Sequence, residues 1–508
     1  MARNPTLPVL AALALTPALA AQGFSLDKIG GGMPGNTSFQ VRNGIANNVY
    51  LILYAFTEVS TPVPALGITL DIPDTYAGPA MDVPGFFGYL NAQGAANASI
   101  AIPYDPSFEG LAMAFQAIQG DGTTWSTSNK VRVTVQTNAT FADTLTQPAV
   151  PILSGGVVTL PNGEFLFAGG SGPVAQRYKS RTEEWELAGA TFGVGILSQS
   201  TGLADGRVLF TGGLDLTTGQ PSTAAAVYDP VAGTTTNLTM ALPRAGHGAS
   251  LLNNGRVLIS GGLTSFDLTN PLSIFNGLTN TCEIYDPATN TIIPGPTMLE
   301  ARALHTSTTL TTGDVLIAGG LSLLPIVNVP TVSATAYRYN PTTNSFGFPA
   351  LMNSARFFHS AAPLTNGRVL LAGGLTLDLS VFLQTGQIQD IIIGTRSDCL
   401  VYQPSLFGFG TFTAVPGMQE GRAGAGIAPL PNGGALIAGG FRLTIDIPTQ
   451  TFQIGTTATA DVFQQGPNRL FATGSMSAAR FLPIGVRLPD NTVMMVGGGP
   501  SNAEVWQF

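Results

Sequence analysis

From residue 139 onward, short apolar runs alternate with turns rich in Gly, Asn and Thr, and the alternation repeats. A turn signal followed by an unbroken apolar run and a glycine doublet is plainest in "NNGRVLISGG", "TTGDVLIAGG", "TNGRVLLAGG" and "PNGGALIAGG". Asn-Gly or its equivalent suits a hairpin turn, and the Val, Leu and Ile residues suit a buried strand. Doublets occur at Gly169-Gly170, Gly212-Gly213, Gly261-Gly262, Gly319-Gly320, Gly373-Gly374, Gly439-Gly440 and Gly497-Gly498. After each comes a small residue, two more, then an aromatic: "AQRY", "AAVY", "CEIY", "AYRY", "CLVY", "ADVF" and "AEVW". Five repeats add Met, three residues, Arg: Met240/Arg244, Met298/Arg302, Met352/Arg356, Met418/Arg422 and Met476/Arg480.

Self-similarity at this period predicts a stack of supersecondary units, each too small to bury its own faces. The order of glycine doublet, Tyr-Asp-Pro-like corner and Met…Arg…His segment resembles the kelch repeat over residues 139 to 508. The resemblance implies an all-β fold: a seven-bladed kelch-type β-propeller spanning residues 138–508, each blade a four-stranded antiparallel sheet. The final blade runs out of chain after "AEVWQF". The strand-like "ATFADTLTQ", Ala139 to Gln147, is expected to supply its outer strand and close the ring. Departures from the family pattern are a first repeat without Met and Arg, and only Trp185 at the usual tryptophan position.

Ahead of the repeats, residues 22–137 hold seven short runs, such as "SFQVRN", "VYLILYAF" and "KVRVTVQ", between Gly, Pro, Asn and Asp clusters. They predict a small β-sandwich-like domain. Residues 1–21 read as a secretory signal: Arg3, the apolar run Leu7 to Leu15, Pro17, then Ala18-Leu19-Ala20. The expected location is secreted, periplasmic or at the cell surface. Asn-x-Ser/Thr occurs at Asn36, Asn97, Asn138 and Asn237.

Only 10% of residues are charged, the formal net charge is −8, and Lys28, Lys130 and Lys179 are the only lysines. That balance argues against nucleic acid as a partner, and no segment is long enough to span a membrane. A monomer is expected. All three histidines, His247, His305 and His359, stand three residues after a repeat arginine, and Cys282 and Cys399 fill a slot that is otherwise Ala. Shared register makes them scaffold, so neither a metal site nor a cofactor is expected.

Long connections follow four doublets, at 263–281, 321–335, 375–398 and 441–459, and carry apolar residues such as Phe382 and Phe452. Such loops gather on one face of a propeller and are the usual place for recognition. Arg244, Arg302, Arg356, Arg422 and Arg480 are expected to ring the channel mouth there and to grip carboxylate or sulfate. The expected function is a non-catalytic exported recognition scaffold for a protein or glycan ligand, the arginines suiting an anionic one. The alternatives on the same fold are a sugar epimerase or mutarotase, with Glu300 or Glu420 as base, and a copper radical oxidase.

Overall fold

The computed structural model describes residues 23–144, 146–170, 174–191, 195–215, 217–267, 271–323, 329–378, 380–385, 387, 392–405, 409–446, 451–499 and 502–508. Residues 1–21, expected to be a secretory signal, lie outside them. In six turn–strand units the Gly of the turn takes a positive φ, +81° at Gly255 and +87° at Gly313, which glycine adopts without strain, and in the last Asn491 takes it at +74°. The strand that follows is buried at every position, as in Val257–Ser260, Val315–Ala318 and Val369–Ala372. Both faces of these strands are covered, so their apolar runs do not alternate.

The protein is nearly all β. Among the described residues, seven antiparallel sheets of four or five strands follow residue 139. Their first strands are Ile152–Thr159, Gln199–Gly202, Gly248–Leu251, Thr306–Thr309, Ser360–Pro363, Gly426–Pro429 and Ile484–Arg487. Each lies beside the next, and Ile484–Arg487 lies beside Ile152–Thr159. The outer strand of the last sheet is Phe141–Asp143, which pairs antiparallel with Ala503–Trp506 in the register Phe141↔Trp506.

The doublet explains how the sheets lock together. Gly261 and Gly262 have φ of +60° and +103°, and the same pair of conformations recurs at four other doublets. This geometry aims the second glycine N–H at the next sheet. Gly262 donates to Arg302 O at 2.8 Å, Gly320 to Arg356 O at 2.9 Å and Gly374 to Arg422 O at 2.9 Å. Gly498 donates likewise to Ile152 O at 2.9 Å, joining the last sheet to the first. A side chain at Gly261 would sit 2.4 Å from Arg302 O, so glycine is required twice over.

Before the repeats, a sheet of Ser25–Ile29, Gly35–Arg42 and Ala96–Ile102 faces one of Val49–Ala55, Phe87–Tyr89, Ala112–Gly120 and Trp125–Thr134. Leu26, Phe39 and Val41 from the first and Leu53, Phe115 and Val131 from the second share one core. Among the described residues, no helix is long and apolar enough to cross a membrane.

Candidate functional site

The five repeat arginines do not face a ligand. Each is fully buried, and its guanidinium is taken up by the protein. In every case Nη1 donates to the carbonyl of the first doublet glycine seventeen residues on. Arg244 adds Glu283 at 2.8 Å, Arg302 Glu300 at 2.8 Å, Arg356 Asp398 at 2.7 Å, Arg422 Asp461 at 2.9 Å and Arg480 Glu504 at 2.7 Å. Glu300 also accepts from Ser333 and Tyr337, and Glu420 from Thr457 and Thr459. The guanidinium fork matches two carbonyls and a carboxylate within its own fold.

On the long-connection face, described residues of the connections pack against one another. Phe275, Leu321, Val332, Phe357, Leu375 and Phe441 form one apolar cluster there, and Phe382, half-buried, packs against it. Phe452 lies on the strand Thr451–Thr456, and its side chain falls outside the described residues. Beside that cluster, Leu304 donates to Gly246 O, Phe358 to Leu304 O and Gly424 to Phe358 O, at 2.8 to 2.9 Å, all four residues with φ between +55° and +59°. The histidines that follow are buried. His247 Nε2 lies 2.8 Å from Thr211, His305 Nε2 3.1 Å from Ser260 and His359 Nε2 2.9 Å from Thr306. Burial, then the charge of Arg244, pushes the His247 pKa down to about 3, and His305 and His359 are likewise held well below the usual value. Cys282 and Cys399 are free and buried, which pushes both thiols up to about 12.

Charge converges elsewhere, on the seam between the amino-terminal sheets and the turns of the first and last repeat sheets. All three lysines lie on its walls. A cavity of about 360 Å³ there is lined by Lys28, Tyr178, Glu183 and Asp490. Lys28 comes from the first strand of the chain, Tyr178 from the strand Val174–Lys179, Glu183 from the turn after it, and Asp490 from the hairpin turn before Val493–Val496. Lys28 Nζ sits 2.6 Å from Glu183 Oε1 and 3.5 Å from Asp490 Oδ2. Thr134 donates to Glu183 Oε2 at 2.9 Å, and Thr492 donates to Asp490 Oδ1 through N–H and hydroxyl.

Burial alone would lower the Lys28 pKa, but Glu183 and Asp490 outweigh it and hold the ammonium above its ordinary value. Burial, reinforced by the same two carboxylates, raises the Tyr178 phenol well above its usual value. The cluster therefore joins two carboxylates, a fixed cation and a neutral phenol beside one cavity, the mixture expected of acid–base chemistry.

Glu183 stands out locally. Its φ is +57°. Five residues after the repeat aromatic, the same turn position holds Gly233, Asn290, Asn344 and Asn468, with φ of +50° to +65°. Asn and Gly tolerate this left-handed conformation, whereas a glutamate does not favour it. Asn290 and Asn344 accept from Tyr285 and Tyr339 at 2.8 and 2.9 Å. The sequence carried this signal in "YKSRTE" set against "YDPATN" and "YNPTTN", but the reading followed histidines, cysteines and arginines instead.

No family model matches the chain, and no curated protein matches it. Among solved structures it is similar to a fungal alcohol oxidase in complex with copper, described as novel and catalytically diverse within the AA5 family. The likeness has a TM-score of 0.37 and 13% identity, covering 62% of this chain and 74% of that one. At that level it carries no chemistry across. Copper does not fit the donors present: each histidine Nε2 already has a hydroxyl partner, both cysteines lie in sheet cores, and no cluster of three His, Cys, Asp or Glu suited to a metal occurs among the described residues. The expectation of a non-catalytic recognition scaffold is corrected. The arginines meant to grip the ligand are fully buried, and their donors are spent inside the fold.

Proposed function

We propose that the seam cavity is an active site and that the protein is an enzyme moving protons on a small hydroxyl-rich substrate. Aldose mutarotation is the simplest such reaction. Glu183 takes the proton of the anomeric hydroxyl while Tyr178 gives one to the ring oxygen, and the ring C–O bond breaks to leave an open aldehyde. Ring closure on the other face returns both protons, so none is consumed. Lys28, held between Glu183 and Asp490, offsets their negative charge and keeps both carboxylates in place. A phenol that stays protonated is suited to protonate an alkoxide, which is more basic than phenolate.

The observation that carries this reading is the conformation of Glu183. A non-glycine residue in the left-handed region costs about 1–2 kcal/mol relative to its ordinary one, and such strain gathers at functional sites. Here it occurs where neighbouring repeats have Asn or Gly, and it puts a carboxylate against Lys28.

The experiment is polarimetry on a panel of freshly dissolved aldoses and acidic sugars with wild-type protein, Glu183→Gln, Glu183→Asn and Tyr178→Phe. The wild type should accelerate one of them. Both Glu183 variants should lose at least 100-fold in rate, the usual worth of a general base, and Glu183→Asn should remain folded because the turn prefers it. No acceleration over buffer, or full activity in Glu183→Asn, overturns the assignment.

We further infer that the seven sheets are blades of one closed kelch-type propeller following a β-sandwich domain, and that residues 1–21 are an export signal. The order of the first strands and the Gly498–Ile152 bond support the ring. Amino-terminal sequencing of protein recovered outside its host's cytoplasm tests the signal; a start at Met1 rules it out.

A further inference from the structure

The cavity at Glu183 does not end there. A second, of about 280 Å³, shares Lys28 and Asp490 with it. A third, of about 320 Å³, shares Asn162, Gly163, Ser180 and Arg181 with the second. The second cavity therefore has walls in common with both the first and the third, and it is lined by Arg42 and Asn162. A site for a lone monosaccharide would need only the first.

The lining says what kind of chain would fit. Five lysines and arginines meet six aspartates and glutamates along the three cavities. A polyanion needs an excess of cations, and the walls have none. A peptide groove uses large apolar anchor pockets, and the only apolar side chains lining the second and third cavities are Ile29, Pro161 and Pro489. Sugar hydroxyls donate and accept at once, so they are satisfied by donors and acceptors mixed at short range. Arg42 and Asn162 are exposed beside the groove; Arg42 pairs with Asp27 and Gln40 and Asn162 Oδ1 accepts from Glu164 N–H, which leaves each with further donors for a ligand.

We propose that the seam is an extended binding groove for a neutral oligosaccharide of several units, whose end residue occupies the cavity at Glu183. This rests on the reading of that cavity as the reacting site, and it adds subsites which that reading does not require. The groove crosses the joint between the amino-terminal sheets and the repeat sheets, so both parts of the chain would hold the same ligand.

The test is isothermal titration of the full chain with glucose, galactose, xylose and mannose and with malto-, cello-, xylo- and mannotetraose. Tetragalacturonate serves as the anionic control, and Arg42→Ala and Asn162→Ala as the variants. One neutral tetraose should bind at least tenfold tighter than its monosaccharide. Each variant should weaken tetraose binding several-fold. Equal affinity for monomer and tetraose, tighter binding of tetragalacturonate, or no tetraose binding at millimolar concentration sinks the groove, whether or not sugars are turned over. Tetraose binding that is sensitive to the variants but accompanied by no turnover upholds the groove and removes the reaction.

Discussion

At the scale of single residues, a histidine buried without charge couples folding to pH. His247, His305 and His359 are neutral in the fold because burial and nearby arginine charge depress their pKa values. In the unfolded chain each titrates near 6.5. Their contribution to stability is therefore complete above about pH 7 and is lost as pH falls below 6.5, for His247 until its folded value of about 3 is reached. Each proton taken up on unfolding gives a slope of about 1.4 kcal/mol per pH unit. Urea unfolding of His359→Gln between pH 6 and pH 4 should show a slope smaller than wild type by about that amount; parallel slopes would mean that His359 is charged in the fold. Recurrence in the sequence was enough to expect alike, buried surroundings for the three histidines, since a repeat register places equivalent side chains in equivalent surroundings. It was not enough for the arginines. Spacing locates Arg356 next to a doublet but does not reveal that the carbonyls of Gly373 and Asp398 and the Asp398 carboxylate will absorb its donors. That depends on which acceptors the folded chain turns inward.

At the scale of elements, the arginines are the joints of the repeat. Arg480 reaches Gly497 O, Asn502 O and Oδ1, and Glu504, whose side chain is 1% exposed. Arg480→Ala leaves that carboxylate buried and unpaired, a loss of about 3–5 kcal/mol. Arg480→Met with Glu504→Leu should recover most of it, because replacing both ions of a buried pair is far cheaper than stranding one. Chemical denaturation midpoints read both, and equal losses in single and double variants would show that the pairing is not the source. The outer strand Phe141–Asp143 offers a second check. Gln507 N donates to Thr140 O and Thr144 N to Ala503 O, so by the alternation of antiparallel ladders Ala142 faces Val505 in a hydrogen-bonded pair. Ala142→Pro removes that donor and should cost about 3 kcal/mol, seen as a melting temperature several degrees lower. An unchanged melting point would mean that this strand carries no share of stability. Strand edges were legible in the sequence because turns and apolar runs are local signals. The partner of Phe141 was legible only through a count of strands per repeat. The fourth-strand aromatic was underestimated for the opposite reason: Phe346 and Phe412 pack on Tyr339 and Tyr402 at 5.4 and 5.1 Å, much as Trp185 packs on Tyr178 at 5.1 Å, but they are not tryptophans.

At the scale of the whole molecule, a chain with few charges gathers many of them at one joint. Besides Lys28, the seam holds Arg181 with Asp27 at 2.8 Å, Arg132 with Glu58 and Glu184, and the backbone bond from Arg132 N to Arg181 O at 2.8 Å. None of this was readable along the chain, because Lys28 and Asp490 are brought together only when the last repeat sheet lies beside the first. Lys28→Met leaves Glu183 and Asp490 facing each other with less compensation, and both are largely buried. Removing one member of such a cluster costs about 3–5 kcal/mol near neutral pH. The expected signature is calorimetric: one cooperative transition in the wild type, and in Lys28→Met a separate earlier one for the amino-terminal sheets. The sign of the pH dependence follows from the raised Lys28 pKa. Its stabilisation is fully present below the unfolded lysine value of about 10.4 and is lost as pH rises through the higher folded value. The gap in stability between wild type and Lys28→Met should therefore be constant from pH 7 to 9 and close only above about pH 10.5. A gap that closes near neutrality would place a different titrating group at the seam and would detach Glu183 from the lysine on which its proposed chemistry depends.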